Sequence, residues 1–275
     1  MENKKKILIL GNKGMLGHVV QRYFENKKDY EVIGLNRTHL DMSDTGSLEN
    51  AIFDHKPDYI INCVGILNNS NNYHLYAEMN VVLPKMLQKL STVLNFKLIH
   101  ISTNCVFDGL GPHDETEIPD AKDVYGISKA LGEINDEHNL TIRCSITGPE
   151  LKKEGTGMMN QFIHNPDFIK GYATTMWNGI STLELADFIS KIMKHETGLI
   201  HYYTKFEDNK LSILDTINDV FEVGKTLELV YNTKAHHGLL KGKYSTDKIY
   251  DIQFIELKEF MIENKDLYEG IYEDL

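Results

Sequence analysis

Tyr125 and Lys129 stand four residues apart in Tyr125-Gly126-Ile127-Ser128-Lys129, on one face of a predicted helix. A phenol of ordinary pKa, about 10, is a poor acid at neutral pH, but a neighbouring ammonium stabilises the phenolate and lowers that value. Such a pair can hand a proton to a carbonyl oxygen while hydride reaches the carbon. Upstream by 22 residues from Tyr125, the run Ile101-Ser102-Thr103-Asn104-Cys105-Val106-Phe107-Asp108-Gly109 sets Ser102, Thr103, Asn104 and the Cys105 thiol at the end of a predicted strand. That is the sheet edge where α/β proteins bind ligands.

A second constellation lies near the start. Gly11-Asn12-Lys13-Gly14-Met15-Leu16-Gly17 closes one predicted strand and opens a helix. Glycines let the backbone turn sharply and approach a pyrophosphate, and the helix start offers it free N–H groups. The spacing is G-x-x-G-x-x-G, so its place between strand and helix carries the assignment of a dinucleotide site. Counting 20 residues beyond Gly17 reaches Arg37, beside Asn36, where an acidic residue would select NAD. A cation there pairs with the 2′-phosphate of NADP, so NADPH is the expected cofactor. Asp41 and Met42 are expected near the adenine, and Asn62-Cys63-Val64-Gly65 along the cofactor cleft.

The elements that must position these groups alternate. Strands are predicted at Lys6–Leu10, Glu31–Leu35, Tyr59–Val64, Lys97–Ser102 and Thr141–Ser145, all nearly unbroken apolar runs. Helices are predicted at Met15–Glu25, Leu48–His55, Tyr76–Leu94 and Tyr125–His138, with Pro84 expected to kink or interrupt the third. The expected fold is α/β, a Rossmann-type doubly wound parallel sheet over residues 1–150, with later segments free to return to it. Residues 151–275 are expected to form mainly a smaller mixed α/β substrate lobe. Its helices are placed at Leu183–Lys194 (capped by Thr182), Leu211–Phe221 and Ile255–Glu263.

Composition narrows the partners. Forty acidic residues against 29 Lys and Arg give a net charge of −11 in 275 residues, which argues against nucleic acid and anionic membranes. A small anion held by a few local donors remains open. The only early apolar run, Ile7–Leu10, is too short for a signal sequence or membrane span. Three dispersed cysteines, Cys63, Cys105 and Cys144, read as reduced thiols, so a cytoplasmic location is expected. The N-x-[ST] triplets at Asn36, Asn68 and Asn139 then read as chance. His236-His237 reads as solvated loop, not as a metal dyad, and no metal site is expected. Tyr202-Tyr203, Tyr268 and Tyr272 read as core or interface residues, and Tyr268–Leu275 as a solvated acidic end.

Taken in order, G-N-K-G-M-L-G, L-N-R-T-H-L-D, S-T-N-C-V-F-D-G and Y-G-I-S-K-A-L-G-E resemble the extended short-chain dehydrogenase/reductases, and among them the dTDP-4-dehydrorhamnose reductase family. The resemblance is good from Lys5 to Ile146 and looser beyond, through Gly148-Pro149-Glu150 and Trp177-Asn178-Gly179. It implies that Tyr125 is the proton donor, that Lys129 tunes it and holds the nicotinamide ribose, and that Thr103 bonds the substrate carbonyl. Asn80 matches the family's active-site asparagine. The implied substrate is a nucleoside-diphosphate 4-keto-6-deoxy sugar reduced at C4, with Asn104 and Trp177 beside it. Arg143, Lys152, Lys153 and Lys170 are the cations available to its diphosphate, and a homodimer is the expected assembly.

There is one departure. Where the rhamnose reductases read S-T-D-Y-V-F, this chain reads S-T-N-C-V-F, so Cys105 replaces a tyrosine. GDP-fucose synthase, an epimerase/reductase, is similar in carrying a cysteine two residues after its catalytic serine. A thiol there can move the acidic proton next to a ketone. A bifunctional epimerase/reductase, a plain 4-reductase and a non-catalytic NADP-binding partner all stay open, with His164 as candidate second acid/base.

Overall fold

The computed structural model describes residues 4–39, 44–67, 72–109, 111–231 and 238–272. The first half runs β1 (Lys5–Leu10), α1 (Gly17–Glu25), β2 (Tyr30–Leu35), α2 (Thr45–His55), β3 (Tyr59–Asn62), α3 (Tyr73–Leu75), a π-helical stretch Tyr76–Val82, α4 (Leu83–Leu94), β4 (Lys97–Thr103), α5 (Val124–Gly132) and β5 (Leu140–Cys144). The second half adds β6 (Ile146–Thr147), α6 (Met158–His164), β7 (Lys170–Tyr172), β8 (Met176–Trp177), β9 (Ile180–Ser181) and α7 (Thr182–Ile192). It ends with β10 (Gly198–Thr204), β11 (Asp208–Asn209), α8 (Lys210–Val220), β12 (Glu228–Val230), β13 (Tyr244–Thr246) and α9 (Tyr250–Glu263).

Seven strands form one sheet in the order β13-β10-β5-β4-β3-β1-β2, every neighbouring pair parallel. Residues of β1 alternate between its two faces, which is why the run is unbroken. Ile7 and Ile9 pack with Val19, Val20 and Phe24 of α1, and Leu8 and Leu10 with Leu48 of α2 and Leu87 of α4. The winding reverses at β1, with β2 on one side and β3 on the other. A crevice therefore opens past the carboxyl ends of β1 and β3, the place where such sheets take ligands.

Several ends depart from expectation, each for a local reason. The Asp44 carboxylate caps α2 and starts it before Leu48. Ser181, not Thr182, caps α7 by accepting from the Glu184 N–H at 3.1 Å. The helix bearing Tyr125 stops at Gly132 instead of continuing to His138, because Asp136 takes the N–H groups of His138 and Asn139 into a turn. Pro84 does not interrupt its helix. The turn before it widens, with Leu83 N–H reaching back five residues to the Glu78 carbonyl, a geometry often found at functional sites.

The sheet is not complete at residue 150. β10 pairs with β5 and carries β13, and α7 and α9 supply much of the larger core cluster. The rest of the second half makes three small two-stranded sheets, β6–β9, β7–β12 and β8–β11, with α6 and α8 beside them. The expected solvated end is partly core: Tyr268 is 1% exposed and Tyr272 8%, since their rings bury more apolar surface than the flanking acids can hold in water. Among the described residues no helix is long and apolar enough to cross a membrane. Asp41, Met42, Asn68 and His236-His237 lie outside the described residues.

Candidate active site

The glycine loop lies at the carboxyl end of β1. Gly11 holds φ +80°, and a Cβ on Gly17 would stand 2.2 Å from the Gly11 carbonyl oxygen, so loop and helix meet only without side chains. Helix α1 has no side-chain cap and no acid in its first turn. Among the described residues, the N–H groups of Met15 and Leu16 have no main-chain acceptor. Free donors, a positive helix end and a turn drawn tight by glycines fit a dinucleotide diphosphate. Lys13 and Gly14 are exposed beside it, and Leu16 is buried beneath. Asn36 is buried and donates to Asn12 at 2.7 Å, which ties the end of β2 to the loop, while Arg37 next to it is exposed. Half-buried Cys63 and Val64 and exposed Gly65 follow β3, and the Gly11 Cα position faces Val64. A Gly17→Val variant should therefore weaken NADPH binding by about 10–100-fold, taking overpacking at roughly 1–3 kcal/mol. Titration of the reduced-nicotinamide fluorescence measures this.

The catalytic candidates gather at the ends of β4 and α5. Asp123 caps α5 by accepting from Gly126 N–H at 2.7 Å. A Cβ on Gly126 would stand 2.2 Å from the Cys105 carbonyl oxygen, so a glycine is what lets the helix lie against the turn that follows β4. Thr103 Oγ1 accepts from the Cys105 N–H at 3.2 Å. Burial drives the Tyr125 phenol well above its usual value and the neighbouring Cys105 adds to this, while a hydrogen bond with Thr103 opposes. Tyr125 thus keeps its proton in the resting protein. Burial lowers Lys129 to about 8, against the nearby Glu133 carboxylate and the Cys144 and Cys63 sulfurs. Its ammonium donates to the Ile101 carbonyl at 2.7 Å.

Cys105 opens to solvent in the cleft, yet the protein around it raises its thiol, with Asp123 adding and Thr103 and Lys210 opposing. Lys210, the first residue of α8, is a cation that the sequence gives no means of singling out. Among the described residues its ammonium makes no ion pair or hydrogen bond, and burial lowers it against the influence of Cys105. Trp177 is buried in the same lobe and donates to Ser145 at 2.6 Å, beside the end of β5. Asn104 is buried beneath the turn.

Other expected substrate contacts are placed elsewhere. Asn80 is fully buried on the π-helical stretch. It accepts from Ile66 N–H at 2.8 Å and donates to Ser128 Oγ at 2.9 Å, so it braces the loop after β3 against α5, and its Oδ1 and the Lys129 ammonium both lie within 4 Å of where a Cβ on Gly65 would stand. Arg143 is 3% exposed and forks onto Glu133 with two bonds of 2.7 Å, which removes it from the cations available to a diphosphate. Glu133 closes the Y-G-I-S-K-A-L-G-E motif, so its position was visible in sequence although its partner was not. It also accepts from Ser102 Oγ at 2.6 Å. His164 packs on Tyr272, ring centroids 4.7 Å apart, and the structure does not bring it to Cys105; its ring is shifted down by burial, then by Lys153 and Lys225. Lys152, Lys153 and Lys170 are exposed.

A diphosphate cradle at the switch point, with a Tyr/Lys pair and a threonine across it, defines the extended short-chain dehydrogenase/reductase class. Within that class, the family described as RmlD substrate binding domain matches residues 5–235, and the chain belongs to it. A dTDP-4-dehydrorhamnose reductase of Aggregatibacter actinomycetemcomitans is 28% identical over 258 residues, 88% of this chain and 86% of that protein. Methionine adenosyltransferase 2 subunit beta of Bos taurus is 28% identical over 139 residues, 47% of this chain and 42% of that one. A solved dTDP-4-dehydrorhamnose reductase from Bacillus anthracis, in complex with NADP, shares the fold with a TM-score of 0.79 at 18% identity, covering 94% of this chain and 99% of that one.

Proposed function

We propose that the chain reduces the C4 ketone of a nucleoside-diphosphate 4-keto-6-deoxy sugar with NADPH, after epimerisation at a carbon next to that ketone, in the making of deoxysugar precursors. The observation that carries the reductase reading is the grouping of Thr103, a neutral Tyr125 and the buried Lys129 beside the dinucleotide cradle. Bound NADPH supplies hydride. Thr103 and Tyr125 hold the carbonyl oxygen, Tyr125 gives it a proton, and the Lys129 ammonium stabilises the phenolate left behind. Family membership and the name of the Aggregatibacter relative support a sugar-nucleotide ketoreductase.

Epimerisation rests on Cys105. Its thiol keeps its proton at neutral pH and opens into the cleft, so it can return a proton to the enolate left when water on the opposite face takes the one next to the ketone, with Thr103 and Tyr125 stabilising the enolate oxygen. Cys105→Ser is expected to slow exchange of solvent deuterium into the keto sugar by about 10²-fold or more, the usual worth of a positioned acid or base. Exchange at the wild-type rate, read by product NMR in deuterated water, would leave a plain 4-reductase.

The decisive experiment offers protein and NADPH a panel of 4-keto-6-deoxy sugar nucleotides and follows loss of reduced-nicotinamide absorbance. A second reading, an NADP-binding subunit without turnover, draws on the relative named as an adenosyltransferase subunit. Tight NADPH binding with no turnover across the panel would select it.

A further inference from the structure

The last described segment of the chain touches both halves of the site. Asp266 pairs with Arg22 of α1 at 2.7 Å. One turn earlier on the same helix, His18 is buried between two partners: its Nδ1 lies 2.8 Å from the Gly14 carbonyl of the glycine loop, and its Nε2 3.0 Å from the Tyr268 hydroxyl. Burial lowers His18 to about 4, so the ring is neutral and has one donor and one acceptor. A carbonyl can only accept. Nδ1 therefore carries the proton and donates to Gly14, and Nε2 accepts from the Tyr268 O–H.

Four residues on, the Tyr272 hydroxyl donates to Asn160 of α6 at 2.7 Å and accepts from the Glu150 N–H at 3.0 Å. Glu150 in turn accepts from the N–H of Gly157, the residue that opens α6, at 2.6 Å. A Cβ on Gly157 would stand 2.8 Å from Met15 Sδ, so this turn of the lobe lies against the glycine loop itself. The Tyr268 and Tyr272 rings meet edge to face at 5.8 Å.

We propose that Tyr268 is a positioning residue for the dinucleotide loop, acting through His18, and that Tyr268 and Tyr272 together make the C-terminal segment a strap between the cofactor loop and the substrate lobe. The proposal rests on reading the glycine loop as the diphosphate site. The Tyr268 hydroxyl selects the imidazole tautomer, and that tautomer adds a second, shorter bond to the Gly14 carbonyl, which also accepts from the His18 main-chain N–H at 3.3 Å. With that carbonyl turned inward, the N–H groups of Met15 and Leu16 stay free for the diphosphate. Without the hydroxyl, the ring can carry its proton on Nε2 and leave Gly14 held by the main-chain bond alone.

The test compares wild type, Tyr268→Phe, His18→Gln, the double variant and Tyr272→Phe, with NADPH titrated by fluorescence and sugar-nucleotide KM measured at saturating NADPH. Circular dichroism establishes that each is folded. Tyr268→Phe should raise the NADPH Kd about 3–10-fold, one neutral hydrogen bond's worth, with little change in sugar-nucleotide KM. The double variant should bind no more weakly than His18→Gln, because both changes break one chain of bonds. Tyr272→Phe should show the opposite split, a raised sugar-nucleotide KM with NADPH Kd unchanged. Wild-type Kd in Tyr268→Phe, or losses that add in the double variant, would overturn the proposal. Failure of the wild type to bind NADPH would overturn the reading of the loop itself.

Discussion

Tyr125→Phe should lower kcat for ketone reduction by about 10²–10⁴-fold, the range for loss of a positioned general acid. NADPH affinity should change far less. The ring stays and keeps its packing, so the missing hydroxyl is the whole difference. Burial and the neighbouring Cys105 hold the phenol protonated in the resting protein. The proton is therefore present where it is needed, and the barrier lies in leaving a buried phenolate. Lys129 lowers that barrier through its charge, which the variant leaves without a phenolate to stabilise. Single-turnover kinetics with a keto sugar nucleotide separate this from product release. A drop in kcat/KM with kcat unchanged would mean that Tyr125 binds substrate and does not deliver the proton.

How far the sequence revealed this arrangement depends on how local each signal is. The glycine loop, the strand alternation and the Tyr125/Lys129 spacing are properties of contiguous residues, and they survive in the structure because short-range geometry decides them. Arg143 illustrates the opposite case. A strand sequence shows that a cation is present but not that Glu133, arriving from the end of α5, neutralises it inside the fold. Asn80 sits where the resemblance puts it, yet its side chain is consumed by Ile66 and Ser128, contacts 14 and 48 residues away. The tail carried two signals: its acidic residues spoke for solvent, while its tyrosines, read as core or interface, are buried and reach His18, 250 residues earlier, and Asn160. Lys210 had no local signature at all, since a lysine opening a helix is ordinary until the fold sets it near a thiol. For the anionic ligands proposed, the net charge of −11 is an opposing field, so in that reading backbone donors and cations such as Lys13, Arg37 and Lys210 act locally against it.

Glu133→Gln should cost about 3–5 kcal/mol of stability, because it leaves the Arg143 guanidinium buried without its counter-charge. Denaturant unfolding measures that loss. Its second consequence is chemical. Glu133 is the largest influence holding the Lys129 ammonium up against burial, which has already brought it to about 8. With the carboxylate gone, Lys129 loses its proton at lower pH. The protonated form is the one that stabilises a phenolate, so the alkaline fall in kcat/KM should move toward neutrality. Glu133→Gln combined with Arg143→Met separates the two effects, since an apolar partner removes the stranded charge and recovers much of the stability. The alkaline limb should stay displaced in that double variant, because Lys129 still lacks its carboxylate. A wild-type pH profile with recovered stability would mean that Glu133 serves the fold alone.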